Sequence, residues 1–440
     1  MKVLILNLDG VGEGLAFALR CVKAGHTVRL WLHKSNHPDV GRGFPGIERI
    51  EQWLPSARWA DLILPTGNHL YLPKLEQLRA AGIAVFGPSE KSARLEIKRA
   101  FGMEFFEAHG IEVPEWQQFK TLSDAEAHVR KTERRYVFKT LGDEEDKSLS
   151  YVGKTPADLI ARLQRWQKLG LNPRGPVMLQ ALIEGQEIGV SRWMGKEGWV
   201  GLYNENFEHK KLLSGNCGPN CGEAGTVQKY VETSKLGEQV LGPLEESLVK
   251  MGHLGDIDVN CIVDESGKAW PLEFTCRLGW PAFNIQIASH QGDPVKWMLD
   301  ACRGQNTLKT SLKVACGVVL AQPDYPYSKA TKSEVGGIPI YGVTPDNQPY
   351  LWPQSVQRMR LPDMKGEKVI EQEIWASAGD YLMVVTGMGR TVRQACMRAY
   401  DTLDQIQVAD MIYRDDIGEK LEEEIPRLKA HGYATEFHYE

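Results

Sequence analysis

Short apolar runs alternate with amphipathic stretches along the first part of the chain. The runs at 2–8 and 27–32 predict buried strands, and the stretch 15–24 between them predicts a helix that follows a glycine-rich turn. This strand-helix-strand order is typical of a parallel sheet, in which ligands bind at the turns after the strands. The turn does not complete the pattern G-x-G-x-x-G, because Phe17 occupies the third glycine position. A dinucleotide site is therefore the less favoured use of this turn.

The rest of the chain predicts helices and strands whose pattern changes near residue 303. We expect a helix from 89 to about 109, a short strand at 111–114, a glycine-rich loop at 216–225 and an unbroken helix at 236–251. Beyond residue 303 the apolar runs are typical of antiparallel strands. The pattern therefore predicts an α/β protein. Further strands are predicted at 84–86, 136–139, 177–183, 188–194, 258–263, 313–320, 367–375 and 381–386.

Composition narrows the functional classes. The chain has 440 residues, with 52 Lys or Arg against 57 Asp or Glu, so its formal net charge is −5. This charge argues against a nucleic-acid polymer or an anionic membrane as the main partner. No apolar run is long enough to span a membrane, and the first run predicts a strand rather than a signal peptide. We expect a cytoplasmic protein of about two to four domains, a monomer or a homodimer, acting on small molecules.

The eight cysteines are scattered singly, apart from Cys217 and Cys221. Such scatter is typical of reduced thiols. The two close cysteines have no second pair to complete a tetrahedral zinc site, and His209 is a distant third ligand. A functional glycine-rich loop is the favoured interpretation of this segment.

The stretch 270–279 combines an acidic, a hydroxyl and a basic side chain. Glu273 and Thr275 alternate along a predicted strand, so they face the same side, and Arg277 follows where the strand gives way to a turn. A carboxylate beside a guanidinium suits a site that holds a divalent cation and an anionic substrate together. The alternative is an ordinary surface ion pair.

Two lysines and a polar turn indicate a nucleotide held between two small sheets. Lys98 lies on a predicted helix and Lys139 at a predicted strand end, where both can reach phosphates as point charges. The strand at 180–183 can pair its backbone with a flat heterocycle, and Glu187 follows a glycine turn, within reach of ribose hydroxyls. Each residue also has an ordinary explanation, since such side chains usually face solvent.

Further motifs are spaced along the whole chain. They read R-A-A-G-I-A-V-F-G-P-S at 79–89, S-A-R-L-E-I-K-R-A-F at 92–101, C-G-P-N-C-G at 217–222, L-E-F-T-C-R-L-G at 272–279 and Y-R-D-D-I-G at 413–418. Together with the lysines and the acidic strand, they resemble the ATP-grasp superfamily. Within it, the closest resemblance is to glycinamide ribonucleotide synthetase, the phosphoribosylamine–glycine ligase.

This resemblance implies an ATP-grasp fold in three parts. An N-terminal parallel-sheet domain is expected at 1–97, an ATP-grasp domain at 98–303 with a lid at about 115–183, and a small C-terminal α+β domain at 304–440. ATP and Mg²⁺ are the implied cofactors, with Mn²⁺ as an alternative metal. The ATP phosphates would be bound by Lys98 and Lys139, and by Lys147 in the covering loop. The adenosine would be bound by Gln180, the backbone of Ala181 and Leu182, and Glu187.

The resemblance also implies the groups that carry the chemistry. Lys210 would approach the γ-phosphate, and Glu273 would bind magnesium. Arg277 would hold the substrate carboxylate and then its acyl phosphate. Thr275 stands where the family usually has Asn as a second metal ligand. That second ligand would therefore be Thr275, Asn260 or water, and Asp258 is a further candidate. Cationic side chains and magnesium would neutralise the charge on the transferring phosphoryl group.

Three other departures from the family concern its loops. The covering loop at 142–150 contains four acidic residues, which would repel phosphate unless they point outward. The two acceptor loops, at 10–14 and 66–70, lack the Arg, His and Glu of the family. After Arg277 two acids are replaced, and Trp280 enters, where it would stack on a planar substrate or fill space. These changes beside a retained Glu273 predict retained activation chemistry with a different amine or acid.

We therefore expect an ADP-forming, ATP-dependent carboxylate–amine ligase that makes an amide through an acyl phosphate. It would join glycine or another amino acid to a sugar- or nucleotide-linked amine. One alternative is a true phosphoribosylamine–glycine ligase of purine synthesis. Another is a catalytically degenerate ATP-grasp module that only binds nucleotide, and an oxidoreductase is a distant third.

Overall fold

The computed structural model describes residues 1–8, 12–33, 38–141, 149–171, 173, 175–327, 335–365 and 368–440. Its N-terminal part is a parallel sheet of four strands. The first strand has five successive buried residues, as expected where helices cover both faces of a parallel sheet. The elements are β1 (Lys2–Asn7), α1 (Leu15–Lys23), β2 (Thr27–Leu32), β3 (Ile47–Ile50), β4 (Leu62–Pro65) and α2 (Leu72–Ala80).

The strand order in this sheet is β3-β2-β1-β4, and every pair is parallel. The predicted strand at 84–86 is reduced to a single parallel bridge between Ile63 and Val85. The helix expected at 89–109 is divided at Lys98, whose φ of −108° and ψ of 82° depart from helical values. The two parts are α3 (Glu90–Ile97) and α4 (Arg99–Ala108).

A second, smaller sheet has its own hydrophobic core. Phe138, Leu159, Leu163 and Trp166 pack together there, apart from the main core. The strand predicted at 111–114 is wrong, and the strand begins two residues later, after Pro114, which has no N–H to donate. The elements are β5 (Trp116–Phe119), α5 (Leu122–Thr132), β6 (Tyr136–Thr140), β7 (Tyr151–Val152), α6 (Pro156–Lys168) and β8 (Val177–Ala181), with strand order β5-β8-β6-β7.

The third and largest sheet has eight strands and contacts all other parts. Between its strands lie short helices and a two-stranded ribbon. The elements up to its sixth strand are β9 (Gln186–Gly195), β10 (Gly198–Leu213), β11 (Cys217–Val231), α7 (Lys235–Val240), α8 (Glu245–Met251), β12 (Gly255–Val263), β13 (Ala269–Thr275), α9 (Ala282–Ser289), β14 (His290–Gln291), α10 (Lys296–Cys302), β15 (Lys309–Thr310) and β16 (Val314–Ala321).

Two predictions in this region are wrong. The glycine-rich segment at 216–225 is not a loop but the first part of β11, which pairs with β10 through irregular register. The helix expected at 236–251 is interrupted by a 3₁₀ turn at Gly242–Leu244. Pro243 inside that turn cannot continue an α-helix, because it lacks an N–H and clashes with the preceding turn.

The C-terminal residues complete the large sheet and also form a smaller sheet of their own. The elements are β17 (Gly336–Ile340), β18 (Leu351–Pro353), β19 (Val356–Lys365), β20 (Lys368–Ala378), β21 (Tyr381–Gly389), α11 (Val392–Leu403) and α12 (Leu421–Ala430). The order of the large sheet is β13-β12-β9-β10-β11-β16-β21-β18, and β17, β20 and β19 form a smaller sheet. The predicted domain boundaries at 97 and 303 stay predictions.

The large sheet has one apolar and one polar face, and this division positions the site. Val190, Ile257, Val259 and Phe207 are fully buried on the apolar face. Alternate residues of the same strands are acidic or amide side chains, since neighbours along a strand point to opposite faces. No helix in the described residues is long and apolar enough to span a bilayer. All eight cysteines are free thiols.

Phe106 of α4 stacks on Phe274 of β13, with ring centroids 4.0 Å apart and planes 8° apart. Both rings are buried, and the contact fixes α4 against the acidic strand. We expect Phe106→Ala to lower the free energy of unfolding by about 3–5 kcal/mol, because it leaves a cavity. Urea denaturation measures this loss. Met397→Ala, at a side chain that is 55% exposed, is the control and should change stability little; an equal effect of both would contradict this role of Phe106.

Candidate active site

The polar face of the large sheet brings the predicted metal ligands together. In the antiparallel register of β12 and β13, Asn260 lies opposite Glu273 and Asp258 lies opposite Thr275. These four residues occupy alternate positions of their strands, so their side chains face the same side of the sheet. Two of them, Glu273 and Thr275, were predicted to share a face, and the other two come from the neighbouring strand.

Lys210 is the central cation of this face. Its Nζ lies 2.5 Å from Oε1 of Glu187 and 3.5 Å from Oε2 of Glu208. Burial acts to lower the pKa of Lys210, but the negative charges of Glu187, Glu208 and Glu273 outweigh burial, so the pKa is raised. Lys210 therefore stays charged at neutral pH, where it is placed to neutralise an anion. Glu187, predicted to bind ribose, is engaged by this lysine in the structure.

Asn260 provides a test of whether the site suits a metal ion. Its Nδ2 donates to Oε2 of Glu208 over 2.8 Å. Within the described residues, Oδ1 of Asn260 is buried and has no hydrogen-bond partner. An amide oxygen and carboxylates are ligands that Mg²⁺ accepts, so Glu273, Asn260 and Glu208 fit a magnesium ion chemically. In the described part of the chain no three His, Cys, Asp or Glu residues form a metal-binding group by themselves, so the amide oxygen would be needed.

Two ion pairs connect the polar face to α3 and α4. Arg99 Nη1 lies 3.3 Å from Oε2 of Glu273, and Arg277 Nε lies 3.3 Å from Oε1 of Glu96. The other oxygen of Glu96 accepts from the N–H of Cys276 and from Nδ2 of Asn68, each over 2.8 Å. The carboxylate of Glu96 therefore positions Arg277 at the end of β13.

Lys139 projects from the smaller sheet toward the acidic strand. Its Nζ donates to the carbonyl oxygen of Leu272 over 3.5 Å. Burial lowers the pKa of Lys139 to about 8; Glu273 opposes this shift, and Arg99 adds to it. Lys98, by contrast, is exposed at the junction of α3 and α4. The two predicted phosphate lysines thus lie in different surroundings.

The segment predicted to bind adenine is already hydrogen-bonded within the protein. The N–H of Ala181 donates to the carbonyl oxygen of Glu115 over 2.7 Å, and the N–H of Leu182 donates to the carbonyl oxygen of Arg135 over 3.2 Å. Nε2 of Gln180 lies 3.6 Å from the sulfur of Met103. The adenine contact stays a prediction, and it would use carbonyl groups of this segment or require it to move. Lys147 and most of the acidic covering loop lie outside the described residues.

Four functional candidates were not identified from the sequence: Glu96, Arg99, Glu208 and Glu223. Glu96 and Arg99 lie on either side of Lys98 within the motif at 92–101. The motif indicates the family, but it does not indicate a role for these two side chains. Glu208 precedes Lys210 by two residues on β10, and strand alternation would have placed it on the same face. Glu223 lies in the segment interpreted as a loop, and that error concealed it.

The fold and this site define an ATP-grasp architecture. The solved structure of phosphoribosylamine–glycine ligase from Thermotoga maritima superposes with a TM-score of 0.71 at 20% identity, over 95% of this chain and 100% of that one. Biotin carboxylase from Campylobacter jejuni superposes with a TM-score of 0.64 at 13% identity, over 99% of this chain and 98% of that one. The N5-carboxyaminoimidazole ribonucleotide synthetase from Thermotoga maritima gives 0.55 at 14% identity, over 92% and 99%.

Sequence comparison points to one group within that architecture. Residues 315–420 match the family model described as phosphoribosylglycinamide synthetase, C domain. The phosphoribosylamine–glycine ligase of Salmonella typhimurium is 26% identical over 363 residues, covering 79% of this chain and 80% of that protein. The enzyme of that name from Escherichia coli K12 is 25% identical over 358 residues, covering 78% and 79%. The resemblance predicted from the motifs, to this group and to the ATP-grasp fold, is confirmed.

The lowered pKa of Lys139 predicts that nucleotide binding takes up a proton near pH 8. About half of the Lys139 side chains are uncharged at that pH, and nearby phosphates favour the charged form. Calorimetry of a non-hydrolysable ATP analogue in two buffers of different ionisation enthalpy measures the uptake. Lys139→Met should abolish it, whereas Lys120→Met, at an exposed lysine of the smaller sheet region, should not. Equal uptake by both variants would assign the proton to another group.

Proposed function

We propose that this protein is an ADP-forming, ATP-dependent ligase that joins a carboxylate to an amine. The observation that carries the proposal is the placement of Arg277 by Glu96 beside the strand of Glu273, with Lys139 facing that strand from the other sheet. Such a site can hold an anionic acid next to a metal-bound phosphate chain. ATP supplies the phosphoryl group that activates the carboxylate.

Each side chain then has a role that its position supports. Arg277 binds the carboxylate of the acid, and Glu96 orients the guanidinium. Glu273, Asn260 and Glu208 would hold a magnesium ion, which would neutralise charge on the phosphates. Lys210, held positive by its acidic neighbours, stabilises negative charge on the transferring group. Lys98 binds phosphate from the junction of α3 and α4, and Lys139 binds phosphate from the smaller sheet. The smaller sheet would also exclude water from the activated acid.

The acid is glycine or another amino acid, and the amine differs from phosphoribosylamine. Support for this difference comes from the acceptor side, where Gly12 and Gly14 stand in place of Arg and His. Trp280 packs edge-on against Phe283, with centroids 5.5 Å apart, which favours a space-filling role over stacking on substrate. The free cysteines and the small polar site support a cytoplasmic enzyme of small molecules.

A true phosphoribosylamine–glycine ligase is the second candidate, because the relatives of similar length bear that name. Phosphate release with phosphoribosylamine and glycine separates the two. Robust turnover with that pair would overturn our preference. Turnover with other amines, found by screening amino acids against a panel of amines, would support it.

The metal-binding role of Glu273 distinguishes a ligase from a module that only binds nucleotide. Glu273→Ala should reduce phosphate release at least about a hundredfold while leaving the circular dichroism spectrum unchanged, because one carboxylate ligand is lost. Glu265→Ala changes an exposed acid in the turn between the same two strands and should have no effect. Nucleotide binding without ADP formation by the wild type, with every acid and amine tried, would indicate the non-catalytic module instead.

A further inference from the structure

Three buried carboxylates lie where the N-terminal glycine turn, β11 and the start of β21 meet. They belong to Glu13, Glu223 and Asp380, whose exposed fractions are 2%, 8% and 1%. Tyr325 and Tyr381 lie among them, with ring centroids 5.5 Å apart. We call this group of five residues the acidic pocket. None of its members was predicted as a site residue from the sequence.

Backbone contacts hold the parts of the acidic pocket together. Gly12 packs so closely on Gln354 that a Cβ there would lie 1.7 Å from its carbonyl oxygen. The N–H of Gln354 donates to Leu382 over 2.8 Å, which joins that contact to β21. The hydroxyl of Tyr325 donates to the carbonyl oxygen of Cys221 over 2.9 Å, two residues before Glu223. The pocket is therefore built by three separate regions of the chain.

Two members of the acidic pocket, Asp380 and Glu223, have buried carboxylate oxygens without hydrogen-bond partners among the described residues. Among the described residues, neither carboxylate oxygen of Asp380 accepts a hydrogen bond, and the same holds for Oε1 of Glu223. Two neighbouring groups, Oε1 of Gln354 and Oγ of Ser355, are buried without partners as well. Burying a carboxylate without a partner is unfavourable, so these oxygens call for a ligand that donates hydrogen bonds and carries positive charge.

Glu223 connects the acidic pocket to the groups that bind the acid. Burial raises the pKa of Glu223 well above its usual range; Glu208 and Asp258 add to the rise, while Lys210 and Arg277 oppose it. Burial raises the pKa of Tyr381, and the negative charges of Glu223 and Glu13 add to this rise. In β11, Asn220 pairs with Lys211 and Gly225 pairs with His209 of β10, so Glu223 lies beside the part of β10 that carries Lys210.

The unpartnered oxygens of Asp380 and Glu223 suit an extended cation better than a metal ion. In the described part of the chain, no three acidic, His or Cys side chains are close enough to bind one metal ion. A metal ion requires its oxygens within about 2.0–2.6 Å, whereas separated carboxylates suit two nitrogen atoms joined by a carbon chain. A phosphate is unsuited to the pocket because it would add negative charge beside buried acidic side chains whose unpartnered oxygens need hydrogen-bond donors.

We propose that the acidic pocket binds the amine substrate, and that this amine carries a second cationic group, as a diamine or an aminoalkyl guanidine does, in place of a phosphate. The inference rests on the proposed ligase function and names the class of its amine. Asp380 pairs with the distant cationic group, and Glu223 directs the reacting nitrogen toward Arg277.

The reaction balances with this amine. Its reacting nitrogen enters as the free base and forms a bond to the carbonyl carbon of the activated acid. The bond between that carbon and the phosphate oxygen breaks, and the proton lost by nitrogen leaves with phosphate as HPO₄²⁻. The second ammonium or guanidinium group keeps its proton throughout, so its pairing with Asp380 persists from binding to product.

Calorimetry without ATP tests the inference with 1,4-diaminobutane, agmatine and ribose 5-phosphate as probes. We expect the wild type to bind at least one of the two cations and not ribose 5-phosphate. Asp380→Asn and Glu223→Gln should each weaken cation binding about tenfold or more, because each removes a charge-assisted hydrogen bond. Asp401→Asn removes an exposed acid of α11 and should leave it unchanged. Circular dichroism establishes that each variant is folded.

Binding of ribose 5-phosphate and of neither cation would overturn the inference, as would cation binding that both folded variants retain. If neither variant folds, the comparison of probes on the wild type decides. A different result would contradict the proposed function alone. If the protein binds the diamine but cleaves ATP with no acid and amine, it is not a ligase, and the acidic pocket is a cation-binding site only. Turnover with phosphoribosylamine and no cation binding contradicts only the present inference.

Discussion

The arrangement of the site depends on Lys210 lying half-buried among carboxylates on one face of the large sheet. Glu187, Glu208 and Glu273 would repel each other on this partly exposed face, and Lys210 offsets that repulsion, helped by Arg99 at Glu273. A buried lysine normally loses its proton more easily, but here its neighbours keep it charged. The same sheet face therefore carries a fixed cation and several carboxylates, and it can receive both a metal ion and phosphates.

The second constraint is the contact between the two sheets. Lys139 comes from the smaller sheet, which has its own core, and reaches the backbone of β13 in the large sheet. Glu96 performs a comparable task from α3, because it holds Arg277 and the backbone of Cys276 together. The proposed catalytic groups thus come from different elements, and stacking of Phe106 on Phe274 keeps one of those elements in place. Strand β13 therefore carries both a candidate metal ligand, Glu273, and a core packing contact, Phe274.

Local patterns were sufficient for the elements whose stability is local. The β-α-β opening and the strand of Glu273 are predicted within a few residues, because apolar periodicity defines them. The segment at 216–225 was interpreted as a loop, since its glycines suggest a turn, yet pairing with β10 and β16 makes it a strand. Glu223 and Asp380 could not be paired from the sequence, because only the tertiary fold joins β11 to the start of β21. The predicted shared face of Glu273 and Thr275 follows from strand alternation alone.

The central claim is that magnesium and a triphosphate occupy the space between the two sheets. A crystal structure of the protein with a non-hydrolysable ATP analogue and Mg²⁺ tests it most directly. We expect Lys98 and Lys139 to contact the phosphates, and the metal ion to be bound by Glu273 and Asn260. Electron density that places the nucleotide elsewhere, or shows these four side chains turned away from it, would contradict the account.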